Sequence, residues 1–114
     1  MVRIDAHVHV FARVSAEFPR EFTAAYPAER EEPVEKLLGE METHGIDQAV
    51  LVQIGGTQIE HHTYLRHCLA AYPDRFLGIG LIPPECSAPE DHMDRLAADG
   101  KVIGWFQGRM EWGP

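Results

Sequence analysis

Residues 49–54 read AVLVQI, apolar on both faces for most of their length. A strand covered on one side only alternates apolar and polar residues, whereas a parallel strand buried on both sides does not need to. This run limits the possible folds more than any other stretch, because it demands covering layers and parallel neighbours. The segments around it meet the demand. Pro33 stands where a helix begins, and Val34, Leu37, Leu38 and Met41 follow at i, i+3, i+4 and i+7. Gly45 then reads as a left-handed cap. After the strand, Gly55 and Gly56 break the run, and Thr57 with Glu60 has the form of a capping box. Leu65, Cys68, Leu69 and Tyr72 mark the next helix face, which Pro73 stops. RFLGIGLI at 75–82 is a third strand, closed by Pro83 and Pro84. Ser87 and Glu90 suggest a second capping box ahead of Met93, Leu96 and Ala97, and Gly100 closes that helix. KVIGWF at 101–106 is a fourth strand, and the tail QGRMEWGP has no period.

With the opening run VRIDAHVHVF as strand one, the order is β-α-β-α-β-α-β. Such alternation implies parallel strands with right-handed crossovers and helices outside. Between strand one and the first helix lies a region without clear period, residues 12–32, carrying Phe18, Phe22 and Tyr26. Loops of that length inside a compact domain are functional or disordered, and its aromatics predict that it packs on something.

Composition narrows the partners. The chain of 114 residues suffices for one domain with a core, and its formal charge is -8. An acidic chain gains nothing by counterion release on a polyanion, so nucleic acid is excluded as the expected partner. The same sign disfavours anionic membrane surfaces. Cys68 and Cys86 form no close pair and no disulfide framework. The expectation is a cytoplasmic protein with two reduced thiols, no signal peptide ahead of Arg3 and no spanning segment.

The chemistry concentrates in RIDAHVHVF, residues 3–11. Uninterrupted alternation along a strand would put Val2, Ile4, Ala6, Val8 and Val10 on one face and Arg3, Asp5, His7 and His9 on the other. The even face would meet the helices, and the odd face would point into a barrel. His7 and His9 would lie roughly 6–7 Å apart, close enough for both imidazoles to reach one metal ion. Asp5, one pleat deeper, would then orient a ligand from behind. The bland alternative is a polar face on an exposed edge strand. Other candidates carry weaker signals. Gln53, at the end of strand two, would touch substrate or only make the turn. Glu85 is as readily solvated as functional. His44 complements a helix dipole. His61, His62 and His67 read as surface or core-edge histidines, and His92 as exposed. Trp105 and Trp112 more readily pack than form a substrate wall.

These pieces carry a resemblance. RIDAHVHVF resembles the opening motif of the amidohydrolase superfamily. The whole chain resembles the amidohydrolase-related family of metal-dependent hydrolases through IDAHVHVF, HGIDQAVLVQ at 44–53, YPDRFLGIGLIPPE at 72–85 and GKVIGW at 100–105, in that order. The resemblance implies a (β/α)8 TIM barrel holding one divalent metal ion, most often zinc. It implies a small-molecule substrate, either a lactone or similar carbonyl compound attacked by metal-activated water, or an acid that is decarboxylated. His7 and His9 match the family's paired strand-one ligands. The remaining ligands, a histidine from a middle strand and an aspartate after the last that also moves the proton, have no counterpart here. A full barrel takes about 250 residues, so the expectation is an N-terminal half of about four βα units, truncated after strand four. Beyond that strand, only Arg109 could take the part of a substrate-binding arginine. Two copies could close a ring as a homo-oligomer. The competing readings are a non-catalytic half-barrel or partner domain, and other His-x-His barrels such as phosphoesterases or TatD-like nucleases. The acidic charge and YPDRFLGIGLIPPE favour the amidohydrolase-related reading over those two barrels.

Overall fold

The structure is a computed structural model that describes residues 2–98 and 102–107, the last five as backbone. Four strands, β1 (Ile4–Val8), β2 (Gln48–Val52), β3 (Phe76–Ile82) and β4 (Val102–Gln107), form one sheet in the order β1-β2-β3-β4. Every pairing is parallel. The crossovers are α1 (Val34–His44), a 3-10 turn (Ile59–His62) running into α2 (Thr63–Ala71), and α3 (Pro89–Leu96). Among the described residues no helix is long and apolar enough to cross a membrane.

Strand order equals chain order, so each right-handed crossover steps the same way and lays its helix on the same side of the sheet. The core records this. Val34 and Met41 of α1, Leu65, Cys68 and Leu69 of α2, and Leu96 of α3 join Ala49, Leu51, Phe76 and Val102 in a single buried cluster. Among the described residues the other face has no helix on it. Ile4 is 59% exposed and Leu77 40%, while Val50 and Ile79 are half-buried. The two-sided burial read in AVLVQI is therefore met at Ala49, Leu51 and Val52 and only partly at Val50. Gly78 and Gly80 let the helices come close: a Cβ on Gly78 would stand 2.6 Å from Leu69 Cδ1, and one on Gly80 2.8 Å from Leu96 Cδ1.

The helix boundaries differ from the sequence reading in instructive ways. Pro33 has ψ 157° and lies just outside α1, which starts at Val34. The Val34 N–H, left over at the helix start, donates to the Tyr64 hydroxyl at 2.9 Å. Gly45 ends α1 in the left-handed conformation, as its position predicts. Neither expected capping box forms. Gln58, not Thr57, precedes the 3-10 turn, and its N–H donates to His61 Nδ1 at 3.3 Å. Gly55 and Gly56 both take positive φ, which delays entry into the turn. At α3 the preceding residue is Ala88, without a side-chain cap. Pro89 in the first turn brings a preset φ and one fewer unsatisfied N–H, so less capping is needed there.

The long connection at 12–32 is ordered around Arg20, which is 8% exposed. Its Nε donates to Ala12 O at 2.9 Å. Nη1 donates to Glu21 O at 3.2 Å and Tyr26 O at 3.4 Å. Nη2 donates to Pro27 O at 3.0 Å and Arg30 O at 2.8 Å. Its Cζ lies 4.9 Å from the centre of the Phe11 ring. Two of the loop's aromatics pack: Phe18 meets Tyr64 at 5.0 Å and His67 at 5.3 Å, and Tyr26 meets Phe11 at 5.6 Å, ring centre to ring centre, whereas Phe22 stays exposed.

Candidate functional site

The candidate site begins with an irregularity in β1. Asp5 pairs with Ala49 and Ala6 with Val50, but the next partner, Leu51, is taken by Val8. His7 is the extra residue of a β-bulge, and it holds φ at 128°. A bulge resets which residues share a face. Asp5 and Val8 thus sit on the side of Ala49 and Leu51, beneath the helices. Ile4 and Ala6 fall on the helix-free side, and His9, one residue past the strand, lines a cavity against the start of α1. Uninterrupted alternation had put Asp5 with both histidines and Ile4 with Val8. The bulge overturns the placing of Ile4 with Val8 on one face, because one added residue inverts a period of two. Asp5 is exposed and borders, with His9, Glu32 and Lys36, a cavity of about 180 Å³ between β1 and the start of α1.

The two histidines do come together. Their ring centres are 5.0 Å apart and their planes 83° to each other. His9 Nδ1 lies 2.9 Å from the Val52 carbonyl oxygen. A carbonyl only accepts, so Nδ1 carries the proton and the lone pair is on Nε2. That is how a metal-binding histidine is usually prepared, with one ring nitrogen tied to the backbone and the other left to coordinate. His9 is half-buried and His7 exposed. Among the described residues no group of three or more histidine, cysteine, aspartate or glutamate side chains is placed to hold a metal ion. The pair is a partial donor set.

Beyond the C-terminal ends of β1 and β2 lies a second cavity of about 190 Å³, lined by Phe11, Arg20, Glu21, Thr23, Tyr26, Ile54, Gly55 and Gly56. Gln53 does not line it. This side chain is buried, and its amide nitrogen lies 3.1 Å from Ile54 O, 3.2 Å from Gly56 O and 2.7 Å from His61 O. Those contacts hold the Gly55-Gly56 turn. Glu85 is exposed, as is His44, whose carbonyl accepts from Arg3. Arg109 and Trp112 lie outside the described residues, as does the side chain of Trp105.

Two buried histidines escaped the sequence reading. His62 is fully buried and His92 is 8% exposed, against the expectation of surface or core-edge positions. His62 Nδ1 donates to Gln58 O at 2.8 Å, and its Nε2 accepts from the Leu81 N–H at 2.9 Å. His92 Nε2 donates to Leu81 O at 3.0 Å. Two imidazoles therefore satisfy both polar groups of Leu81 near the end of β3. Burial pushes the His62 pKa down from 6.5 to about 4. The missed signal was spacing: His62 precedes Leu65 by three and His92 precedes Leu96 by four, so each extends an apolar helix stripe. Cys68 is the inert core thiol expected, with burial pushing its pKa up to about 12. No comparable pattern pointed to Arg20, whose hydrogen-bond partners are all backbone carbonyls.

No family model matches the chain, and no curated protein matches it. Among solved structures it is similar to the crystal structure of a probable 2-pyrone-4,6-dicarboxylic acid hydrolase from Acinetobacter baumannii with citric acid bound, at a TM-score of 0.69 and 26% identity over 92% of this chain. This chain spans 37% of the length of that protein. The sequential parallel sheet and this likeness agree with part of a TIM barrel, and the fold resembles that of a hydrolase.

Proposed function

We propose that these residues are the metal-holding N-terminal half, four βα units, of a (β/α)8 hydrolase of the amidohydrolase-related kind that opens a lactone. The observation that carries this reading is the pair His7 and His9, 5.0 Å apart, with His9 Nε2 freed by the bond from Nδ1 to Val52 O. The pair sits at the C-terminal end of β1 in a sheet of sequential parallel strands, the end at which TIM barrels place their chemistry. The named activity of the similar protein adds support, since a 2-pyrone ring is itself a cyclic ester.

The donors fit a divalent ion such as zinc, which takes neutral imidazoles and is four-coordinate with protein ligands and water. When bound, such an ion polarises a carbonyl and makes water a nucleophile near neutral pH. The chain's own residues prepare the site. Val52 O fixes the His9 tautomer and ring orientation. The bulge turns His7 beside it at the cost of a positive φ. Gln53 holds the turn after β2 in place, and Arg109 is the residue proposed to meet an acidic substrate group beyond β4. The reading is tested by elemental analysis of the purified chain and of the His7→Ala/His9→Ala variant after zinc loading, with circular dichroism to check folding. Zinc retained by the parent and lost by a folded variant is expected. Equal metal in both, or none in either, would overturn it.

A further inference from the structure

β3 runs on past β2. The last pair between them is Val52 with Ile79, whereas β3 continues to Ile82. The Arg75 and Ile79 carbonyls accept from the Ala49 and Gln53 N–H groups, so every second residue of β3 turns its backbone toward β2. Leu81 is the next in that row, and β2 has ended by then. The chain turns away through Gly55 and Gly56, both at positive φ. Two imidazoles stand in for the missing strand. His62 Nε2 accepts from the Leu81 N–H at 2.9 Å, and His92 Nε2 donates to the Leu81 carbonyl at 3.0 Å. We infer that His62 is an acid-opened latch: a proton taken up on its Nε2 favours a form in which the 3-10 turn Ile59–His62 is detached from the end of β3 while the sheet and the body of α2 stay folded. The latch is independent of whether His7 and His9 hold a metal.

The two imidazoles differ in what a proton does to them. His92 gives a hydrogen from Nε2 and does so whether neutral or charged. His62 gives its one hydrogen from Nδ1 to Gln58 O at 2.8 Å and keeps a lone pair on Nε2. A proton there sets N–H against N–H and charges a fully buried ring. The groups that act on it give no relief. His92 of α3, its ring centre 6.2 Å away, and His61 and Arg66 of its own run all oppose a positive charge, and β3 brings only apolar residues and glycine. The charge is met in water, and the turn is the short way there. Gln58 and Glu60 are exposed on it, and a 3-10 run has poorer hydrogen bonds than an α-helix. α2 behind it is held separately, by Leu65, Cys68 and Leu69 in the core. Opening also strains the Gln53 amide contact to His61 O, at 2.7 Å, and so loosens Gly55 and Gly56, which wall the cavity beyond β1 and β2. The closed ring has a pKa of about 4 and an open one about 6.5, so the open form takes the proton first. Opening is therefore independent of pH above 6.5 and rises as pH falls from there toward 4.

The test is amide hydrogen exchange on the parent, His62→Gln and His92→Gln at about pH 7 and about pH 4.5, with each rate divided by the intrinsic rate at that pH. Glutamine at 62 can still donate and accept but does not titrate. In the parent, residues 58–62 and Leu81 should be at least about tenfold less protected than the amides of β2 at both pH values, and insensitive to low urea, as local opening requires. Their protection should fall on the order of a hundredfold between the two pH values. His62→Gln should abolish that fall, and His92→Gln should keep it. If His62→Gln does not fold by circular dichroism, the imidazole nitrogen shifts of the parent decide: a neutral His62 with its proton on Nδ1 at about pH 5.5 is expected, and a charged ring in the folded chain there would overturn the inference. Equal protection of the turn and β2 would overturn it too, because the turn then opens only with the whole chain. So would protection that ignores pH, an equal fall in a folded His62→Gln, or a fall abolished by His92→Gln.

Discussion

At the scale of single residues, His7 is the costly one. A non-glycine φ of 128° lies where L side chains are rarely found, and such positions store on the order of 1–3 kcal/mol. Glycine would adopt it freely. His7→Gly should therefore be more stable than His7→Ala in urea unfolding by about 1 kcal/mol, with a higher midpoint, while both lose metal. Equal midpoints would mean that the bulge relaxes once the ring is gone. His62 is a second such residue. Its neutral form donates at Nδ1 and accepts at Nε2, so a proton on Nε2 would face the Leu81 N–H. Burial is the main cause of its lowered pKa, and the nearby positive groups of His92, His61 and Arg66 add to it. The native pKa of about 4 is below the ordinary 6.5. The contribution is thus complete above pH 6.5, where both states are neutral. It is lost as pH falls toward 4, because the unfolded chain takes up the proton first. The loss amounts to about 3 kcal/mol. Urea unfolding across that window should show it, and His62→Gln, which does not titrate, should flatten the dependence.

At the scale of elements, close fits at Gly78 against Leu69 and at Gly80 against Leu96 carry the packing. Leu69 is fully buried against Gly78. Gly78→Ala would force α2 away from β3, with a loss of about 1–3 kcal/mol in thermal or urea unfolding. The long connection at 12–32 depends instead on one guanidinium whose five N–H groups reach five backbone carbonyls. Arg20→Met keeps an unbranched apolar side chain there and removes those bonds together with the guanidinium over Phe11. Limited proteolysis should then cut within 12–32 at least about tenfold faster, with a stability loss of about 2–4 kcal/mol. An unchanged cleavage rate would show that Phe18 against Tyr64 suffices to anchor the loop.

At the scale of the whole molecule, the sheet is protected unequally. β2 and β3 are paired on both sides, and β1 on one. The residues of β2 and β3 are mostly buried, whereas Ile4 through His7 are exposed. Amide exchange should be slowest in β2 and β3 and at least about tenfold faster in β1. Comparable protection of β1 would mean that its edge is covered in solution.

What the residues determined alone is what local periodicity encodes. The stripe Val34, Leu37, Leu38, Met41, the cap at Gly45, the run AVLVQI and the pairing of two imidazoles one residue apart were all legible, because each depends on neighbours within a turn or a pleat. What only the tertiary structure decided depends on atoms distant in sequence. The bulge at His7 arises from pairing with β2, and it set Val8 on the face opposite Ile4 though nothing in RIDAHVHVF announces it. The burial of His62 and His92 follows from the Leu81 peptide they satisfy, and the role of Arg20 from carbonyls gathered by a folded loop. Which face of the sheet is covered follows from strand order, since crossovers stepping one way leave the other side bare.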